Sequence, residues 1–328
     1  MNRRTAMRQM AAFIVTSASL AQAQQPGKIF RIGLLDPSDA RTSAVRLKAF
    51  WEELRRLGWI EGKNITVEYR FAEEKTDCLP ELAADLVRLK VDVIVATQTS
   101  AALAAKRATT TIPIVITNSS DPVAAGLVAS LAQPGGNVTG VSGLAVELNT
   151  KRLEVLKDAV PKLARVGLPR QMGTAISEEL QIKELRLAAV ALKLKLEEIK
   201  TTLDPKALES AFQSAKQKQV GAIMIYSRPF FAERKRIVEL AAKYRLPAIY
   251  PQKEYVDEGG LMYYGIDAAD SYRRAAHHVD KILRGTKPAD IPVEQAMRTE
   301  FIISLPAAKR IGYKVPYELL ARANKVIQ

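Results

Sequence analysis

The stretch VDVIVATQTSAALAAKRATTTIPIVIT, residues 91–117, holds a β-branched run, an alanine-rich segment of helical length and a second β-branched run. Val91–Ala96 and Ile112–Thr117 are short, and within them Val93–Ala96 and Ile112–Ile116 are apolar on successive residues, as strands buried on both faces are. Ser100–Ala108 is long enough for a helix between them. A helix that joins two neighbouring strands sets them parallel, so this stretch predicts a right-handed β-α-β unit.

Upstream, Arg31–Leu35 and Asn64–Tyr69 read as further strands, with helices over Ser43–Leu57, closed by Gly58, and Pro80–Leu89. Downstream lies DPVAAGLVASLAQPGGNVTGVSG, residues 121–143, in which Pro134 breaks a helix and Gly135-Gly136 let the backbone turn before a strand over Val138–Ser142. That turn reads as the approach to a crossing into the second half of the chain. The alternation then repeats. Strands are expected over Arg165–Leu168, Leu194–Lys200, Val220–Tyr226, Pro247–Tyr250 and Leu261–Tyr264, with helices over Glu178–Leu192, Pro205–Gln217 and Phe230–Tyr244. The fold class is therefore α/β, with two similar halves each built on a doubly wound parallel sheet. Residues 28–143 form the first half and 144–267 the second. A helix within 268–290 is expected to return to the first, and 291–328, with a strand at Glu300–Ser304 and a helix over Tyr317–Ile327, to the second.

The amino terminus reads as an export signal over residues 1–23. Arg3, Arg4 and Arg8 precede an uncharged run, Met10–Leu20, too short to anchor in a bilayer, and Ala21 and Ala23 supply a cleavage site. The expected location is the periplasm. Cys78 is the only cysteine, so neither an internal disulfide nor a cysteine-based metal site can form. The formal charge of +14 is spread over many helices, Arg46, Lys48, Arg55 and Arg56 among them, without an aromatic-interleaved basic strip. These read as solvated faces, with no nucleic-acid partner.

The search for catalytic chemistry comes back nearly empty. No phosphate-binding glycine pattern follows a strand, Gly140–Leu144 lacks the second glycine of a nucleophile elbow, and the adjacent His277 and His278 diverge on a helix by about 100°. Glu73-Glu74 and Glu197-Glu198 sit among polar neighbours as surface carboxylates do. Neither catalytic residue, metal site nor cofactor is expected.

The runs EGKNITVEYRFAEEKTDCLPELAADLVRLKVDVIVA, ATTTIPIVITNSSDPVAAGLVASLAQPGGNVTG, LPAIYPQKEYVDEGGLMYYG and RRAAHHVDKILRGTKPADIPVEQ resemble the ABC transporter substrate-binding proteins of the tryptophan/tyrosine type. The resemblance spans nearly the whole chain after the signal. It implies a fold like that of type I periplasmic binding proteins, two lobes joined by three crossovers, and a monomer that delivers a small solute to an inner-membrane permease. GLPRQMGT, residues 167–174, departs from the family, whose members continue the strand into an Asn-Pro loop. A ligand-sensing protein and an exported enzyme on the same fold are the rival readings.

Independently of resemblance, parallel sheets bind ligands at the carboxyl ends of their strands, where helix amino termini point amide donors outward. The candidates in the first half are Asp36, Ser38, Gln98, Thr99, Ser100, Asn118, Ser119, Ser120, Asp121 and Ser142. In the second they are Tyr226, Ser227, Glu254, Tyr264 and Asp267. Hydroxyls and helix-end amides of the first half would hold a carboxylate, an acidic residue an amine, and the tyrosines would cover an apolar group. An amino acid or similar zwitterion suits such a set.

Overall fold

A computed structural model describes residues 28–171 and 176–328. The chain runs β1 (Phe30–Asp36), α1 (Ala40–Arg56), β2 (Ile65–Phe71), α2 (Leu79–Arg88), β3 (Val93–Ala96), α3 (Thr99–Ala108), β4 (Ile114–Ser119), β5 (Val138–Ser142), α4 (Ala145–Ala159), β6 (Arg165–Gln171), α5 (Ile176–Ala191) and β7 (Lys195–Thr201). It continues through α6 (Pro205–Gln217), β8 (Ala222–Met224), α7 (Arg234–Lys243), β9 (Ala248–Tyr250), α8 (Glu254–Asp257), β10 (Met262–Ile266), α9 (Ala268–Leu283), β11 (Glu294–Gln295), β12 (Thr299–Ser304), α10 (Leu305–Arg310), α11 (Tyr317–Arg322) and β13 (Lys325–Ile327). The amino-terminal signal lies outside the described residues.

The first sheet has the order β11-β5-β4-β3-β1-β2 and is parallel throughout; the second, β13-β12-β10-β9-β8-β6-β7, departs from parallel only where β10 meets β12. The 91–117 stretch is the expected β-α-β unit, with β3 beside β4. Every residue of β3 and the first four of β4 are buried, because helices cover both faces: Leu34, Val95 and Val115 face one core with α1 and α9, and Ile94, Ala96 and Ile116 face another with α2 and α3. The second sheet likewise lies between two cores, one built around Leu153, Val166 and Met262 and the other around Phe212, Ile223 and Tyr250.

Asp39 starts α1. Its carboxylate accepts from the Thr42 amide at 2.9 Å and from the Thr42 hydroxyl at 2.7 Å. Those bonds, the hydroxyl's first, hold its pKa below the ordinary carboxylate value. Replacing Asp39 with alanine is expected to cost about 1 kcal/mol in urea unfolding at neutral pH. A depressed acid stabilises the fold above its unfolded pKa and ceases to do so as pH falls through the folded one. Wild type and variant should therefore converge toward acid.

Several features differ from the sequence expectation, the short helices α8 and α10 among them. Helix α4 has no counterpart in it. The last residues are a strand, β13, paired with β12, rather than the end of a helix to Ile327. The expected helix from Phe230 begins as a 3₁₀ turn over Arg228–Phe231, and the α-helix starts only at Arg234. Finally, β11 pairs with β5, and Ile291, Val293 and Ala296 pack in the first-sheet cores, so the chain leaves the first sheet after Gln295 and not at residue 290. The histidines serve that packing: His277 Nε2 lies 2.8 Å from Glu53 Oε1, and the buried His278 ring spans the Arg274 and Pro292 carbonyls at 3.0 and 3.2 Å.

Candidate functional site

Three passages of chain join the sheets: β5 to α4, β10 to α9 and β11 to β12. The strand ends beside them hold most of the candidate residues. In the first half, Asp36 is fully buried and accepts from the Ser38 amide at 2.8 Å and the Ser43 hydroxyl at 2.7 Å. Gln98 is the amino cap of α3 yet makes no side-chain capping bond, so the first amides of α3 have no capping side chain. Its Nε2 is 3.5 Å from the Ser38 hydroxyl.

Thr99 and Ser119 lie together, hydroxyl to hydroxyl at 3.0 Å, and the Ser120 amide donates to the Thr99 oxygen at 3.2 Å. Ser119 pairs in register with Ser142, which ends β5. These residues therefore form one continuous polar edge. Ser100 is part-buried in the first turn of α3, and Asn118 is exposed against Gly143. Asp121 stands apart as a turn residue whose carboxylate accepts from the amides of Val123 and Ala124 at 3.0 and 2.9 Å.

In the second half, Glu254 opens α8 and reaches across to the first, with Oε1 3.3 Å from Arg46 Nη1. From sequence, Arg46 reads as part of a solvated helix face. It is instead largely enclosed, its side chain 16% exposed, because α1 turns that face toward the second half. Tyr226, just past β8, is buried and packs in the core of the second sheet. Tyr264 is half-buried, with its hydroxyl 3.3 Å from Thr299 Oγ1 and its ring edge-on to Phe301. Asp267 caps α9, accepting from the Asp270 amide at 3.1 Å.

Several buried polar atoms at this junction have no hydrogen-bond partner: Arg46 Nε, Ser227 Oγ, Gln252 Oε1 and Ser271 Oγ. They come from both halves: Ser227 and Gln252 follow the carboxyl ends of β8 and β9, Ser271 lies in the first turn of α9, and Arg46 lies within α1 beside Glu254. An unpaired buried polar atom costs about 1–3 kcal/mol, so each of these marks a place where a polar group of a bound molecule would be stabilised. Of these, only Ser227 is among the candidates read from sequence. Gln252 follows the carboxyl end of β9 and carries the same signal as Ser227, though it is absent from the candidate set, whereas Ser271, within α9, carries no local signal.

Two α/β layers that share one polar seam, bridged by an ion pair and crossed three times by the chain, define a two-lobed solute-binding fold. The family model described as ABC transporter substrate binding protein matches residues 38–327. The "Tyrosine-binding protein" of Clostridioides difficile (strain R20291) is 30% identical over 269 residues, 80% of this chain and 75% of that one. A conserved domain protein of Vibrio cholerae superposes with a TM-score of 0.83 at 28% identity, over 91% of this chain and 100% of that one. The ABC domain from Streptococcus pneumonia, in complex with L-Trp, gives a TM-score of 0.80 at 24% identity, over 91% and 99% of the two chains, a likeness of fold. The chain belongs to the ABC transporter substrate-binding protein family.

Proposed function

We propose that this protein is the exported, monomeric solute receptor of an ABC importer, and that it closes two lobes on an amino acid or similar small zwitterion before delivery to an inner-membrane permease. The signal over residues 1–23, cleaved near Ala23, sends it to the periplasm. The observation that carries this reading is the set of unpartnered buried polar atoms contributed by both lobes, Arg46 Nε, Ser227 Oγ, Gln252 Oε1 and Ser271 Oγ. The Thr99–Ser119 hydroxyl pair at the open amino end of α3 adds donors from the first lobe. Hydroxyls and α3 amides hold the carboxylate, Glu254 or Asp36 faces the amine, and Tyr264 packs on the side chain. The tyrosine-binding relative favours an aromatic amino acid. Holding such a solute requires no covalent step.

Native mass spectrometry of the mature protein, followed by a melting screen against amino acids, tests this. A solute at 100 times its dissociation constant adds about 2.7 kcal/mol of stability. Stabilisation by L-tyrosine or a related amino acid is expected, and a flat screen would remove the ligand class.

The Arg46–Glu254 pair joins the two lobes and so favours the arrangement in which they meet. Part-exposed pairs contribute up to about 1 kcal/mol. Glu254→Gln should therefore weaken solute binding up to roughly fivefold in calorimetry if the pair is its only contribution. A loss much larger than that would mean Glu254 touches the solute itself.

A further inference from the structure

We propose that Arg152 grips the carboxylate of the bound solute from the second lobe, opposite the first-lobe hydroxyls, so that one carboxylate bridges the two lobes. This rests on the solute-receptor reading above and goes beyond it in assigning the charged partner.

Arg152 lies in the second turn of α4 and is only 4% exposed. Its guanidinium is held in place on two sides: Nε donates to the Tyr264 carbonyl at 2.6 Å and Nη1 to Asn149 Oδ1 at 2.6 Å, while Asn149 Nδ2 donates to Gln181 Oε1 at 3.0 Å. No carboxylate faces it among the described residues. Arg46 and Arg170, which are comparably enclosed, pair with Glu254 and Glu198. Burying an unpaired cation is costly, and burial lowers the Arg152 pKa to about 10, against the smaller opposing pull of the Tyr263 and Tyr264 phenols. The lobe therefore keeps an uncompensated positive charge fixed in orientation, with Nη2 making no hydrogen bond to the described residues.

Its position suits the seam. Helical side chains lean toward the amino end of their helix, and the bond to Asn149, one turn nearer that end, shows that Arg152 does so. The amino end of α4 directly follows Ser142, where the chain crosses from the first sheet. Tyr264, the other anchor, is two residues from the end of β10, at the next crossing. A planar guanidinium with a free edge is the side chain best matched to a carboxylate. The carboxylate has two oxygens with about four acceptor sites, enough for Arg152 from one lobe and for the Thr99 and Ser119 hydroxyls from the other.

The test compares L-tyrosine with L-tyrosinamide, which lacks the carboxylate, by calorimetry on ligand-stripped wild type, Arg152→Met and Arg152→Lys. In wild type the acid should bind roughly tenfold to a hundredfold more tightly than the amide, as loss of a charge-assisted bond requires. In Arg152→Met that ratio should collapse to about threefold or less, and in Arg152→Lys it should fall by about tenfold because the fixed fork is gone. The ratio is insensitive to a general loss of folded protein, and if the methionine variant does not fold, the lysine variant decides. A ratio unchanged in the variants would overturn the proposal and leave Arg152 a strut between α4 and β10. Binding of neither compound by wild type would instead overturn the ligand reading beneath it, and this assignment with it.

Discussion

Gly140→Ala is expected to destroy the folded protein or to cost on the order of 4 kcal/mol or more, the range that overpacking combined with strain at a special backbone conformation reaches. Gly140 sits in β5 opposite Ile116 of β4, with φ +131°, and a Cβ there would stand 2.1 Å from the Ile116 carbonyl oxygen and 2.6 Å from its nitrogen. Backbone atoms cannot swing aside as a side chain can. The close approach has a functional consequence, because the β4–β5 register shifts between Ile116 and Ser119, and the shift brings Ser119 level with Ser142. Gly136, in the turn before β5, has nothing within 4 Å of its Cβ position. Urea unfolding should therefore find Gly136→Ala near wild type and Gly140→Ala insoluble or sharply weakened. Equal stability of the two would show that the strands do not meet as described.

Alanine at Thr99 or at Ser119 is expected to weaken solute binding about tenfold or more, the effect of one buried bond to a charged group. Because the two hydroxyls bond each other at 3.0 Å, removing one also disturbs the other. The double variant should thus lose less than the product of the single losses, a coupling that independent surface sites do not show. Calorimetric titration of the three variants checks both statements. Unchanged affinity in the single variants would remove these residues from the site.

The strands are legible in sequence where the sheet is buried on both sides, since β3 and β4 have to be apolar at successive positions. The carboxyl ends of those strands follow from the parallel direction alone, which is why Thr99, Ser119, Ser142 and Ser227 stand out as candidates. Helix α4 is not legible because its buried face includes Asn149 and Arg152, which interrupt the apolar stripe, and because it begins after Leu144 in a left-handed conformation, φ 51°, with no capping side chain. β13 exists through pairing with β12, a contact no local pattern encodes. Arg46 misleads for the opposite reason: on α1 it looks like any solvated arginine, and only the neighbouring lobe encloses it. Tyr226 shares a core with Leu168, Met224 and Ile249, a burial that the strand-end position alone does not reveal.

Closure of two lobes over a solute is the claim on which the rest depends. Small-angle X-ray scattering of the mature protein measures this directly, after its co-purified solute has been stripped by mild unfolding and again after that solute is restored at saturation. The radius of gyration should be larger in the stripped protein and return to the compact value on re-addition, with the compact profile matching the arrangement in which Arg46 meets Glu254. Identical profiles with and without bound solute would contradict it.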